Sequence, residues 1–111
     1  MPKKKTRNAI VASSGNIFSD LQLPDAEEKQ TRVRLALAIN QIMEKAHISQ
    51  ASAAEILQIN QPKVSALANY RLEGFSVERL MHFLNALGHD VEIVIRKSRT
   101  RRSAKIVVRA A

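Results

Sequence analysis

The sequence predicts an all-α domain of four or five short helices, followed by a C-terminal β-strand or hairpin. Three observations support this prediction. Apolar residues recur at helical spacings between residues 24 and 87. Serine, asparagine or proline stands where each of these helices would begin. After Gly88 the apolar residues alternate instead, with the two-residue period of a strand.

The first helix is predicted to begin at Pro24-Asp25, and carboxylates in its first turns favour the positive end of the helix dipole. It should end near Ala46 or His47. Its buried stripe is predicted to contain Leu35, Ile39, Ile42 and Ala46, widened by Val33 and Leu37.

Three further helices follow, each with a capping residue. Ser49 can cap a second helix that reaches Leu57, and Asn60 can cap a third, with Pro62 in its first turn. Gly74 is expected to supply the backbone freedom that turns the next loop. Ser76 then caps a fourth helix that continues to Leu87 and stops at Gly88, with inward side chains at Val77, Leu80, Met81, Leu84 and Leu87.

Composition bounds the class of protein. The chain has 111 residues, of which 45% are hydrophobic, and no cysteine. One packed domain is therefore expected, without disulfides or thiolate metal sites, as in a reducing cytoplasm. The longest apolar run, at 35–39, has five residues, against the ~20 that a membrane helix needs. We expect a cytoplasmic protein that does not span a membrane.

The net charge of +8 is carried by the two ends of the chain. Residues 1–22 have a net charge of +3, residues 89–111 have +5, and the centre is neutral. Basic ends suit a polyanion, because each phosphate contact releases counterions; tails that only confer solubility are the alternative. The expected organisation is a flexible basic arm at 1–22, a helical domain at 23–90, and a strand or hairpin with a basic tail at 91–111.

The strongest functional signal is the spacing of four small or apolar residues within 50–69. Two short helices that cross closely need them at particular sites, and Ala54, Leu57, Val64 and Leu67 stand at those sites, with a three-residue break between the helices. Together with the caps, this pattern predicts a helix-turn-helix motif. The third predicted helix of the domain, which is the second helix of this motif, would then lie in the major groove of DNA.

Polar residues at the helix starts agree with that interpretation. Gln50 would contact a phosphate, and the Gln61 amide could pair bidentately with adenine. Lys63 could contact a guanine or a phosphate, and the Ala66 methyl a thymine methyl. The complete predicted DNA-contacting set is Gln50, Asn60, Gln61, Pro62, Lys63, Ser65, Ala66, Asn69 and Arg71.

Ser49-Gln50-Ala51 through Leu57, with Asn60-Gln61-Pro62-Lys63-Val64-Ser65, resembles the phage-repressor-like (XRE, Cro/CI-like) helix-turn-helix family. The resemblance implies a sequence-specific transcriptional regulator without enzymatic activity or cofactor. It also implies a glycine with positive φ at position 58, where this chain has Gln58. A left-handed glutamine costs about 1 kcal/mol.

Segments 15–21, 72–76 and 84–93 resemble short XRE regulators, many of which are HigA-type antitoxins encoded beside a RelE/HigB-like ribonuclease toxin. The resemblance implies autorepression and a toxin partner. Such toxins are basic, and so are both tails here. Toxin binding would therefore depend on shape or on the acidic start of the first helix.

The C-terminal segment predicts assembly. Val91, Ile93 and Ile95 would form one face of a strand, and residues 105–109 form a second candidate strand. Because one helix-turn-helix reads only a few base pairs, we expect a two-fold dimer on an operator palindrome, held partly by these three residues. Pairing of 105–109 within the chain and direct pairing of two copies of 91–95 both remain open.

Other functions are less well supported. His47, His82 and His89 lie in three different segments, which favours surface or capping roles over a metal or catalytic site. An RNA-binding or ribosome-associated protein remains an alternative, although the chain has only four aromatic residues for stacking on bases. A toxin-binding module without a DNA role is a third possibility.

Overall fold

The computed structural model describes residues 24–99 and 105–110. The predicted basic arm at 1–22 and the segment 15–21 lie outside these residues. The described part contains four helices: α1 at Pro24–Lys45, α2 at Gln50–Leu57, α3 at Gln61–Ala68 and α4 at Val77–Ala86. The predicted helix order and starting points are confirmed. The chain divides into two units between Gln30 and Thr31, within α1, and the contacts described below belong to the second unit.

Each of the last three helices begins at the predicted capping residue. The side-chain oxygens of Ser49, Asn60 and Ser76 accept hydrogen bonds from the backbone N–H three residues ahead. The three capping residues have extended backbone angles, as this arrangement requires. A cap satisfies one N–H that the helix leaves without an internal partner. These local bonds explain why the boundaries could be predicted from single residues.

The four helices also end alike. In each case a residue with positive φ follows the helix, and the next backbone N–H donates to a carbonyl five residues back, as in a Schellman motif. The left-handed residues are His47 (φ 57°), Gln58 (φ 57°), Tyr70 (φ 59°) and Gly88 (φ 86°). The closing N–H···O distances are 2.9, 3.0, 2.8 and 2.9 Å respectively. The predicted left-handed Gln58 and the predicted stop at Gly88 are confirmed.

Gly74 behaves differently from the prediction. Gly88 is the glycine with positive φ in the described part of the chain, so Gly74 does not use the freedom that was expected to turn its loop. The left-handed residue lies earlier, at Tyr70, where the turn out of α3 is made. This loop also contributes two buried side chains, Leu72 and Phe75, which were not expected in the core.

The core is aliphatic, with an aromatic pair at one side. Ile39, Val64, Leu67 and Leu80 are its largest fully buried side chains. The rings of Phe75 and Phe83 meet edge to face, with centroids 5.8 Å apart. The other buried hydrophobic residues are Leu35, Ala36, Met43, Ala53, Leu57, Leu72 and Leu84.

The buried face of α1 differs from the predicted stripe. Val33 and Leu37 are 44% and 45% exposed, and Ala46 is exposed. The face that packs inward contains Leu35, Ala36, Ile39 and Met43. Apolar residues occupy six of the seven positions 33–39. Periodicity over that run therefore could not distinguish the buried face from its neighbour.

Neither predicted strand forms within the described chain. Residues 91–99 and 105–110 have neither helical nor strand structure, and they do not pair with each other as a hairpin. Val91 and Val108 pack against the helical core, whereas Ile93 and Ile95 are 71% and 91% exposed. A strand needs a hydrogen-bonding neighbour, and the described part of this single chain supplies none to 91–95.

Candidate nucleic-acid interface

The exposed start of α3 presents Gln61, the residue for which an adenine contact was predicted. Gln61 is the first residue of α3, and Pro62 lies in the first turn, where its missing N–H costs nothing. Both side chains are exposed. The Asn60 Oδ1 atom accepts from the Lys63 N–H at 2.9 Å, so this carbonyl oxygen is engaged in the cap. The cap, at the residue directly before Gln61, thus fixes where α3 begins.

The second predicted glutamine lies at the equivalent position of the neighbouring helix. Gln50 is the first residue of α2, it is exposed, and the preceding Ser49 Oγ accepts from the Ser52 N–H at 3.1 Å. Helices α2 and α3 pack directly on each other. The two glutamines thus stand at the capped starts of two helices that pack on each other.

Packing between these helices uses most of the predicted sites. Leu57, Val64 and Leu67 are buried, as expected. Ala54 is partly buried and packs against the core, while its neighbour Ala53 is only 1% exposed. Ala53 is therefore the more deeply buried small residue in α2, and the spacing argument missed it.

The later residues of α3 are less available than the sequence suggested. Ala66 is half-buried and packs against the core. The Asn69 Nδ2 atom donates to the Ser65 carbonyl at 2.8 Å and lies 3.5 Å from the Ser65 hydroxyl. Ser65 and Asn69 therefore contribute to the end of α3, whereas Arg71, just beyond it, is exposed.

Lys63 has contacts that the sequence did not indicate. Its ammonium nitrogen lies 5.7 Å from the centroid of the Phe75 ring, in the loop after α3. Arg79 of α4 approaches the same ring, with its guanidinium carbon 5.8 Å from the Phe75 centroid and 5.6 Å from that of Phe83. Two cations from different helices thus meet one buried aromatic pair. Neither Phe75 nor Arg79 was a predicted site residue, since only the tertiary fold brings them to Lys63.

Two of the histidines have local roles. The His82 Nε2 atom lies 3.7 Å from a carboxylate oxygen of Glu78, one turn earlier on α4, with both side chains largely exposed. His47 serves as the left-handed residue after α1. Within the described residues, no group of three or more potential metal ligands is found.

Every helix in the described part of the chain is too short or too polar to cross a membrane.

Comparisons with known proteins agree with this geometry. The family model of a helix-turn-helix domain matches residues 17–96. A solved structure of an XRE family transcriptional regulator is similar, with 66% sequence identity and a TM-score of 0.76. The match covers 79% of this chain and 100% of that one. No curated protein matches the chain.

Proposed function

The chain belongs to the XRE family of helix-turn-helix transcriptional regulators, which are DNA-binding proteins and not enzymes, and from this premise we propose that it represses its own operon by binding an operator palindrome as a dimer. The observation that carries the proposal is the exposed Gln61 side chain at the capped start of α3. Repression follows if the bound dimer occludes a promoter that overlaps the operator.

The proposed base contact uses the chemistry of the glutamine amide. Its carbonyl oxygen accepts from the adenine amino group while its N–H donates to adenine N7, a pairing that no other base edge offers in the major groove. Gln50 would contact the flanking phosphate from the start of α2, because α2 crosses the DNA backbone in this motif. Arg71, exposed beyond the end of α3, would add a second backbone contact.

The proposed dimer uses the segment that this chain leaves exposed. Val91 packs on the core and thereby fixes where the segment begins, while Ile93, Val94 and Ile95 are 71%, 65% and 91% exposed. Antiparallel pairing of two copies would satisfy the backbone groups of 91–95 and cover these side chains. Such a dimer presents two α3 helices to half-sites about one helical turn apart.

The test begins with duplex selection from a random library, followed by footprinting on the DNA upstream of the gene. The proposal predicts a selected palindrome that recurs in that upstream region. It also predicts that a reporter fused to the region is repressed when the protein is expressed. Selection of no consensus would contradict sequence-specific binding. A consensus absent from the upstream region would leave DNA binding intact and contradict autorepression.

A second role, as an antitoxin, is supported by the HigA-like segments 72–76 and 84–93 and by the aliphatic side chains of Val33 and Leu37, which remain exposed on α1. We propose that these two residues contact a RelE/HigB-like toxin through shape complementarity, one of the two bases for binding a basic toxin that the sequence leaves open, the other being the acidic start of α1. The test is co-expression with the product of any adjacent toxin-like gene. Rescue of growth that is lost in Val33→Ser/Leu37→Ser would support the role, and growth arrest with the wild type would contradict it.

A further inference from the structure

Gly74 stands in the loop between α3 and α4 without a conformational reason to be glycine. Its φ is not positive, and a Cβ built there would lie in ordinary contact, 4.0 Å from the Lys63 ammonium. A larger residue would therefore be tolerated by the backbone. The consequence of a longer side chain would be to cover the Lys63 ammonium, and this suggests that glycine keeps that group accessible.

The ammonium of Lys63 lies over the ring of Phe75, in the loop after α3. The nitrogen lies 5.7 Å from the ring centroid, within the range of cation–π attraction. The ring itself cannot follow the lysine, because Phe75 is only 4% exposed and packs edge to face on Phe83. The preferred place of the ammonium is therefore over the loop, beside Gly74.

The same ring also bears the guanidinium of Arg79, whose carbon lies 5.8 Å from the centroid. Among the described residues, neither Lys63 nor Arg79 has a carboxylate within ion-pair distance. Two like charges on one aromatic group repel each other, and an anion between or beside them would relieve that repulsion. The surface at this loop is thus complementary to a phosphate.

We propose that Lys63 contacts the sugar–phosphate backbone of DNA and does not read a base. Phe75 is the positioning residue that sets this role, and Gly74 keeps the ammonium uncovered. The inference rests on the proposed DNA-binding function and deepens it. Lys63 lies two residues beyond Gln61 in the same helix, yet its charge is directed to the loop. Base readout at this end of α3 is then left to Gln61.

The test compares Lys63→Gln with the wild type on two duplexes: one selected from a random library by the wild type, and a scrambled duplex of equal length. Each dissociation constant is measured between 50 and 200 mM KCl. The proposal predicts that Lys63→Gln weakens affinity by the same factor on both duplexes, so that the ratio of the two dissociation constants is unchanged. It also predicts that the slope of log affinity against log salt is smaller by about 0.9. The loss of affinity is then about threefold larger at the low-salt end than at the high-salt end. Lys45→Gln, at the exposed end of α1, is the matched control and should leave the slope unchanged.

Two variants test the positioning role. Gly74→Gln should reproduce the smaller salt slope without lowering the melting temperature, since a structural role for Gly74 would not affect counterion release. Phe75→Leu should weaken binding to both duplexes when Lys63 is present and have no further effect on binding in the Lys63→Gln background. If Phe75→Leu does not fold, Phe75→Met, which also lacks the aromatic face, replaces it in the same comparison.

Other outcomes overturn the proposal. A Lys63→Gln variant that loses the specificity ratio at an unchanged salt slope would show a base contact. A variant identical to the wild type on both duplexes would show that Lys63 does not contact DNA. If the wild type itself binds both duplexes equally, the proposed sequence-specific function fails, while the salt slope on the scrambled duplex still tests the phosphate contact.

Discussion

The side-chain amide of Asn40 on α1 donates a hydrogen bond to the backbone carbonyl of Leu67 on α3, at a distance of 3.2 Å. Leu67 is fully buried, and its carbonyl also accepts from the Tyr70 N–H at 3.2 Å, at the turn that ends α3. The bond joins residues 27 positions apart. It therefore connects the C-terminal end of α3 to α1, the longest helix in the described part of the chain.

Asn40→Ala should lower the free energy of unfolding by about 1 kcal/mol, the usual contribution of one such hydrogen bond. The matched control is Asn85→Ala. In the wild type, the Asn85 Nδ2 atom donates to the His89 carbonyl at 2.9 Å in an exposed, local bond. Its loss should lower the free energy of unfolding by less, since water can replace the missing amide. Urea unfolding of both variants measures the difference. Equal decreases in the free energy of unfolding would show that the Asn40 hydrogen bond stabilises the fold no more than a local, exposed one.

Gln58→Gly should stabilise the domain by about 1 kcal/mol, because Gln58 has a φ of 57° and glycine adopts this conformation without steric cost. Gln58→Ala is the control, since alanine retains the left-handed strain. Thermal unfolding should show a higher melting temperature for the glycine variant alone. A destabilised Gln58→Gly would mean that the glutamine side chain contributes more than its backbone strain costs.

Gln61→Ala should weaken binding to the selected duplex by about 1–3 kcal/mol and relax the preference at one base position. Gln41→Ala, which removes another exposed glutamine amide on α1, should change neither quantity. Repeating the selection with each variant gives the preference at every position. A Gln61→Ala protein that selects the same consensus with the same affinity would remove Gln61 from the base-reading role.

Deletion of residues 1–14 should reduce the salt dependence of binding by about one unit for each phosphate that the segment neutralises. The deleted segment holds four of the 18 basic residues, Lys3, Lys4, Lys5 and Arg7. Replacing these four with glutamine at full length is the control for chain length and should have the same effect. An unchanged slope in both proteins would show that this end of the chain does not bind DNA.

The features predicted correctly from sequence are those that depend on neighbouring residues. Ser49, Asn60 and Ser76 cap helices through bonds that span three residues, so their chemistry is visible in the sequence itself. The left-handed Gln58 was predictable because the family resemblance implies a glycine there. The exposed positions of Gln50 and Gln61 follow from these same boundaries.

The features that sequence reasoning missed depend on distant parts of the chain. Phe75 joins the core because α4 brings Phe83 against it, and the loop position of Phe75 gives no sign of this. The placement of Lys63 over Phe75 has the same origin. Val33 and Leu37 were wrongly predicted to be buried because apolar residues fill six of the seven positions 33–39 and therefore show no clear period. The predicted strands depend on a pairing partner, which the described part of one chain does not contain.

The last prediction concerns assembly through residues 91–95. Ile93 is 71% exposed in the single chain, and Val91 before it packs on the core. If two copies pair along this segment, Ile93→Asp places a charge beside its symmetry mate within a newly buried strand, where burial of an unpaired carboxylate is costly. The variant should therefore sediment as a monomer at micromolar concentration, whereas the wild type sediments as a dimer.

A control variant separates this effect from general destabilisation, and a second variant tests how far the interface extends. Leu37→Asp introduces the same charge at an aliphatic side chain that is 45% exposed on α1, and it should remain a dimer. Val107→Asp, at a side chain that is 51% exposed, tests whether residues 105–110 take part in the same interface. Because the Ile93 side chain lies outside the helical core, the Ile93→Asp monomer should keep the helical circular dichroism of the wild type. It should also lose affinity for a full palindrome far more than for a single half-site. A wild-type monomer that still protects both half-sites would contradict a preformed dimer, and a dimeric Ile93→Asp would place the interface elsewhere.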